Sequence, residues 1–442
     1  MDTGPSPASA SVSGRPGSEP RSLALRVLRR VMEEGAYSNL TLAGELRRAE
    51  LPVSDRAFAT ELVYGTLRRT LSLDAGLAPA SSRPLESLDA SVLALLRMGA
   101  YQLLYTRVPA HAAVAETVSL AASHQRGYVN AVLRRLAGDP PRPPAGDDDG
   151  AVSARTGLVP WAVGELRRLL PGEELETAAA SLASPAGLTV RANTCRAAPE
   201  DLERALRAGG ADPRRGELDP SAFRVAAASP TSLPGYREGW FAVQDEASVL
   251  VAAAVEARAG ERILDACAGP GGKATHLACA VAPGGVVVAA DLHPRRARLV
   301  RQASRRLGAR VLVLASDARR PSVRGPFDAV LVDAPCSGLG AARRRPELLW
   351  RPSRTALAGL ARLQVEILVG VADLVRPGGR LVYSVCTFPR AETDAAVRAF
   401  LAKRPDFAPL ELRGPEGPAS SHRLWPHRHG TDAMFYSGLR RA

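Results

Sequence analysis

A multidomain chain is predicted: an all-α bundle, then a small α+β unit, then a doubly wound α/β domain. Three features carry this. Residues 21–137 repeat apolar side chains at spacings of three and four, whereas the segments after Phe241 are short apolar runs alternating with helical stretches. Between them, DPPRPPAGDDDG at 139–150 forbids a continuous helix through its prolines and stays solvated through its aspartates. Finally, 442 residues suffice for two to four domains at roughly 100–200 residues each.

In chain order, residues 1–20 are rich in Ser, Pro and Gly and read as a disordered arm. SLALRVLRRVMEE, RAFATELVYGTLRR, SVLALLRMGAYQLL and AVAETVSLAASH make a helical domain of 21–137, and 138–150 is a linker. Within 151–240, WAVGELRRLL and EELETAAASLA read as helices. GLTVRANT and SAFRVAAA read as strands, and PEDLERALRAGG as a helix closed by glycine, giving a small α+β subdomain of the ferredoxin/RRM-like kind. Over 241–442, ERILDACAG, GVVVAAD, RVLVLASD, FDAVLVDAP and GRLVYSVCT are strands buried on both faces. Their alternation with helices predicts a parallel, Rossmann-like sheet.

Fifty-eight Lys+Arg against 45 Asp+Glu leave a formal charge of +13, which favours an anionic partner, nucleic acid before membrane. Five cysteines without a C-x-x-C pair exclude a disulfide scaffold and a structural zinc site. Cys195, Cys267 and Cys279 read as small buried hydrophobes, and a reducing cytoplasm is expected. There is no apolar h-region and no uninterrupted run of ~20 apolar residues, so neither secretion nor membrane spanning is expected. HRH at 427–429 has no further ligand type beside it, so no metal is expected.

In open α/β sheets, ligands sit beyond the carboxyl ends of the strands. Asp265, Asp291, Asp317 and Asp333 fall at such ends. The first turn, DACAGPGGKATHLA, has neither G-x-G-x-x-G nor a phosphate-loop spacing. With Asp291 about 20 residues further on, placed for ribose hydroxyls, it suits an adenosine-bearing cofactor without a diphosphate, S-adenosylmethionine being the candidate. Lys273 is one of only two lysines in an arginine-rich chain, which points to a compact cation being needed there. Cys336 and Cys386 follow the fourth and fifth of these strands, where both thiols can face one pocket.

DACAGPGGKATHLA, VDAPCSGLG and YSVCT together resemble the RNA cytosine-5 methyltransferases, as do FAVQDEAS and WPHRHGTDAMFYSGLRR. ELVYGTLRR, LRMGAYQLLYTRVPAHAAVAETVSLA and GYVNAVLRR add a likeness to the bacterial RsmB (Sun/Fmu) family of the NOL1/NOP2/Sun superfamily, whose N-terminal domain is similar to the RNA-binding fold of NusB. The resemblance implies an enzyme that methylates C5 of a cytosine in 16S ribosomal RNA; a cytoplasmic monomer is expected. It implies that Cys386 is the nucleophile, that Cys336 serves product release and removal of the C5 proton, and that Asp333, carrying a proton, contacts N3 and N4 of the base. It implies that Cys267, Ala268, Gly269, Pro270, Gly271, Gly272 and Lys273 wrap the cofactor, with Asp291 on the ribose, Asp317 on the adenine amine and Asp333 also facing the cofactor.

For RNA contact, the candidates are Arg191 and Asn193 in RANT, and Arg343, Arg344, Arg345 and Trp350 in RRRPELLWRP, where an indole beside arginines suits base stacking. Two other readings stand beside this one: the same chemistry on transfer RNA or 23S ribosomal RNA, or a non-catalytic RNA-binding factor with a degenerate methyltransferase domain.

Overall fold

The computed structural model describes residues 18–227 and 229–442, and the chain divides into two compact units. The first, extending to Gly157 and taking in 345–347, holds α1 (Ser18–Glu33), α2 (Ser38–Arg48), α3 (Val53–Arg68), α4 (Thr70–Ala80), α5 (Ala90–Tyr105), α6 (Ala110–Ser119), α7 (Arg126–Gly138) and α8 (Asp149–Thr156). Its core is drawn from the three-and-four spacing: Leu23, Val27, Leu62, Leu95, Leu133 and Leu136 are all buried. Helices α3 and α5 approach so closely that a Cβ on Gly65 would overlap the Tyr101 ring. Glu347, fully buried, accepts from the Ser38 hydroxyl at 2.6 Å.

Two expectations change here. Of the arm expected over 1–20, residues 1–17 lie outside the described residues, and Ser18–Pro20 open α1. Proline is tolerated in a first turn, and Glu19 suits the positive helix end. The linker of 138–150 also gives up its last residues to a helix: Asp148 accepts from the amides of Gly150 and Ala151 at 2.9 and 3.0 Å and so caps α8.

The second unit begins with α9 (Pro160–Arg167) and α10 (Leu175–Leu182). An antiparallel sheet follows, built from β1 (Leu188–Ala192), β2 (Arg214–Arg215), β3 (Ala222–Val225) and β4 (Phe241–Val243) in the order β2-β3-β1-β4, with α11 (Pro199–Ala208) after β1. Leu202 and Leu206 of α11 pack on Val190, Phe223 and Phe241 of these strands. Then come α12 (Glu246–Ala253), β5 (Arg262–Asp265), α13 (Gly272–Ala280), β6 (Val286–Asp291), α14 (Pro294–Leu307), β7 (Val311–Ala315), β8 (Phe327–Asp333), α15 (Arg354–Ala372), β9 (Val375–Val385) and α16 (Asp394–Lys403). The chain continues through β10 (Phe407–Leu410), β11 (Ser421–Leu424), α17 (Pro426–His429) and β12 (Met434–Arg441).

Strands β7-β6-β5-β8-β9 are parallel; β12 lies antiparallel between β9 and β10, and β11 pairs with β12. The doubly wound core is therefore extended into a mixed sheet. Strand order reverses between β5 and β8, so their carboxyl ends diverge into helices on opposite faces and leave a crevice there. One core beneath α12–α14 includes Val251, Leu277 and Val300; the other, beneath α15 and α16, includes Leu368, Val371 and Phe400. Helix α15 has the length and mean hydropathy, 1.5, to cross a bilayer, but its apolar side chains Ile367, Leu368 and Val371 are spent on the sheet.

Candidate active site

The site forms where β5, β6, β8 and β9 end. Asp265 closes β5 and is almost wholly buried; burial, then the neighbouring Asp333, pushes its carboxyl up to about 7. Beyond it, the turn 267–273 folds back against β6: the amide of Gly269 donates to Asp291 Oδ2 at 3.0 Å, and that of Ala268 to the Ala290 carbonyl at 2.8 Å. Gly271 takes φ +113°, which a side chain would strain, and a Cβ on Gly269 would lie 2.6 Å from Asp291 Oδ2. Arg296 of α14 holds the turn from outside, donating to the Gly269 carbonyl at 2.6 Å. Cys267 is held as a thiol by burial and by Asp265 and Asp333.

Lys273, the first side chain of α13 to reach inward, places Nζ 2.7 Å from Asp333 Oδ2. Burial pulls the ammonium down, but the charge and hydrogen bond of Asp333, with Cys386 adding to them, hold it above the ordinary lysine value. In this pair the Lys273 ammonium is the donor and Asp333 Oδ2 the acceptor. The other Asp333 oxygen accepts from Ser384 Oγ at 2.9 Å, its register partner on β9.

Three residues past Asp333 and two past Ser384, Cys336 and Cys386 leave neighbouring strands with their Sγ atoms 3.5 Å apart. The contact with Cys386, reinforced by burial, keeps Cys336 protonated. Behind them, buried Glu392 accepts from the Ser337 amide and hydroxyl at 2.8 and 2.5 Å and from Gln364 Nε2 at 3.0 Å. Its own carbonyl accepts from Tyr383 Oη at 2.6 Å, and Ser337 also meets Thr387 at 2.7 Å. Glu392 thereby fastens both cysteine-bearing turns to one point. Sequence reading missed it, although an acid within six residues of a strand-end cysteine was a usable signal.

The crevice suits a compact cationic nucleoside. Neither carboxyl oxygen of Asp265 has a hydrogen-bond partner, Asp291 is buried beside the glycine turn, and a Cβ at Gly269 would fill the cradle. Asp317 sits two residues past β7 rather than at its end, in a 2.7 Å ion pair with Arg319 that lowers its carboxyl below the usual range.

Most of the expected RNA contacts are engaged by the protein itself. Arg191 is fully buried, its Nε donating to Gln244 at 2.9 Å, and burial lowers it to about 10. Asn193, equally buried, ties the carbonyls of Gly239 and Leu307 at 2.6 and 2.7 Å. Arg343 donates to the Gly430 and Thr431 carbonyls at 2.8 and 3.0 Å, while Arg344 bridges Asp245 and Asp432 at 2.6 and 3.1 Å. In this structure these four side chains donate to carbonyls, a side-chain amide and carboxylates of the same chain. Arg345 lies over the Tyr37 ring at 5.2 Å, and Trp350 is half-buried with Arg351 at 5.8 Å.

One further correction concerns cysteine. Cys195 and Cys279, 84 residues apart, are joined in a disulfide, because the end of β1 meets α13; they are not separate buried hydrophobes. In the 427–429 turn, His427 and Arg428 share Glu174 at 2.8 Å. Among the described residues, no cluster of three or more His, Cys, Asp or Glu side chains could hold a metal ion.

Comparison with known proteins agrees with this geometry. Residues 252–440 match the family described as 16S rRNA methyltransferase RsmB/F, and residues 18–138 match the NusB family. The chain is 40% identical to a candidate methyltransferase of Mycobacterium tuberculosis, covering 97% of both chains. It is 34% identical to ribosomal RNA small subunit methyltransferase B of Salmonella arizonae, covering 95% of this chain and 98% of that one. The crystal structure of PH0851 superposes with a TM-score of 0.83 at 25% identity, over 96% of this chain and 99% of its own. The chain belongs to the 16S rRNA methyltransferase RsmB/F family and is a methyltransferase whose donor is S-adenosylmethionine.

Proposed function

We propose that the protein methylates C5 of a cytosine in 16S ribosomal RNA through a covalent bond from Cys386 to C6 of the base. The observation that carries this reading is the 3.5 Å approach of Cys336 and Cys386 beside the Lys273–Asp333 pair. C5 of cytosine is a poor nucleophile until a thiolate adds to C6 and breaks the aromaticity. Cys386 performs that addition, facing the Lys273 ammonium. Asp333 contacts N3 and N4 of the base, with Lys273 supplying the proton that offsets charge developing at N3. S-adenosylmethionine supplies the electrophilic methyl group. Cys336 is a thiol while Cys386 is close; once Cys386 is bonded to C6, Cys336 gives its own proton to water, and the resulting thiolate takes the C5 proton as the bond from C6 to sulfur breaks and Cys386 leaves as a thiolate.

For the cofactor, the turn 267–273 wraps the methionine and ribose portion and Asp291 takes the ribose hydroxyls. Asp317 reaches the adenine amine after loosening from Arg319. A paired base must leave its stack to enter such a crevice. We place the reaction in the cytoplasm with a monomeric enzyme, and the thiol chemistry needs no metal. The small-subunit substrate is favoured over transfer RNA and 23S RNA by the name of the Salmonella relative.

The test is Cys386→Ala. It should abolish methyl transfer to 16S RNA transcripts while leaving S-adenosylmethionine binding near normal; full activity would sink the assignment. Bisulfite sequencing of ribosomal RNA from a deletion strain would locate the missing methylcytosine. A loss confined to transfer RNA or 23S RNA would replace the substrate.

A further inference from the structure

We infer that the outer face of α14 is a track for the phosphate backbone of the RNA substrate, an inference that rests on the proposed RNA methylation. The helix reads PRRARLVRQASRRL, with six arginines and no acid, a local charge of +6 in a chain whose net charge is +13. Several other helices pair arginines with acids one turn away, as Arg29 with Glu33, Arg30 with Glu34, Arg204 with Asp201 and Arg207 with Glu203. Helix α14 offers no such partners.

Its six arginines divide by position. Arg296 and Arg306 are used structurally. The first holds the Gly269 carbonyl at 2.6 Å; the second donates to the Tyr236 and Phe241 carbonyls at 2.9 and 3.0 Å. Arg295, Arg298, Arg301 and Arg305 are exposed, and none has a hydrogen bond or ion pair to a described residue. At about 100° per residue these four fall within roughly a third of the helix circumference, and they span about 15 Å along its axis. Opposite them, Ala297, Val300 and Leu307 are buried in the core. Past the end of the helix, the exposed guanidinium of Arg196 lies against Gly308 and extends the row.

A solvated arginine face is the ordinary outcome for a charge run, but here four exposed guanidiniums share one side of an acid-free helix with no partner among the described residues. Phosphates about 3.4 Å apart along a stacked strand would give the row about four partners. The track starts beside the cofactor turn that Arg296 clamps, so RNA lying on it is already near the crevice. An anionic membrane fits less well, because the apolar side of α14 faces inward and the outward face offers mainly Leu299.

The experiment compares wild type with the quadruple variant Arg295→Gln/Arg298→Gln/Arg301→Gln/Arg305→Gln, using a fluorescent 16S RNA fragment across a KCl series. The slope of log K against log[KCl] should flatten by about three, with affinity falling roughly several-hundred-fold at 0.1 M salt. The matching quadruple lysine variant should restore both. S-adenosylmethionine binding should be unchanged in all three proteins, which establishes that the crevice is intact. Equal slopes for wild type and the glutamine variant overturn the track, even if wild type methylates RNA normally. Loss of binding to vesicles of equal phosphatidylcholine and phosphatidylglycerol, with RNA affinity unaltered, overturns it in favour of a membrane. Failure of wild type to methylate RNA tells instead against the functional reading.

Discussion

Lys273 Nζ lies 2.7 Å from Asp333 Oδ2, an ion pair between the helix that follows the glycine turn and the strand that leads to Cys336. It joins the cofactor side of the crevice to the thiol side. Replacing Lys273 with Met should lower kcat about a hundredfold, the scale of losing one preorganised charge donor. Lys273→Arg should not restore it, since the ammonium is only 10% exposed and has little room for a planar fork. Steady-state methylation by both variants checks this.

Cys336→Ala should trap the enzyme on its RNA. If Cys336 takes the C5 proton, its loss leaves the bond from Cys386 to C6 unbroken, and a protein–RNA adduct should run as a shifted band in a denaturing gel. Cys336→Ala/Cys386→Ala should show none. A clean gel for the single variant under turnover conditions would contradict the division of labour.

The pH dependence of stability follows from Asp265. Its folded carboxyl titrates at about 7, above the ordinary 3.8, so the folded state prefers the protonated form. The stability this group contributes is complete below pH 3.8 and is lost as pH rises through about 7. The cofactor-free protein should therefore lose on the order of a few kcal/mol from this group between those limits. Asp265→Asn should flatten that part of the curve in urea titrations. Binding of the cationic cofactor near pH 6 should release close to one proton, measurable by calorimetry in buffers of different ionisation heat.

Arg344→Ala should behave as a folding defect. It would leave the nearly buried carboxylates of Asp245 and Asp432 without their shared cation, at a cost of roughly 3–5 kcal/mol. Chemical denaturation reads the loss directly. At permissive temperature the salt dependence of RNA binding should stay at the wild-type slope, in contrast to the α14 variant.

The parallel core was legible because each strand is a continuous apolar run ending near an acid, and because proline and glycine punctuate the connections. Helix α2 and the strands β10–β12 were not assigned. SNLTLAGELRR breaks its apolar face with polar residues, and the C-terminal strands gain their partners only across the sheet. The cysteine pair could be placed from strand-end position alone. The burial of Arg191 and Asn193 could not be read from RANT, since a polar residue in a motif looks the same whether it faces solvent or ties buried groups. Glu392 escaped because its partners, Ser337 and Gln364, are 55 and 28 residues away. The Cys195–Cys279 bond depends on the meeting of two sheets' flanking elements, which no local pattern records.

Strand β12 has one consequence for how the molecule is made. It pairs with β9, β10 and β11, so the strand bearing the approach to Cys386 has no neighbour on that side until residues 434–441 have been synthesised. Domains emerging from the ribosome tend to fold as they appear, N-terminal part first. Here the helical unit can settle early, whereas the edge of β9 waits unshielded. Translation speed between β9 and β12 thereby governs how long a sticky, half-finished sheet is exposed, and slow codons in that stretch should show up as aggregation rather than as weakened catalysis.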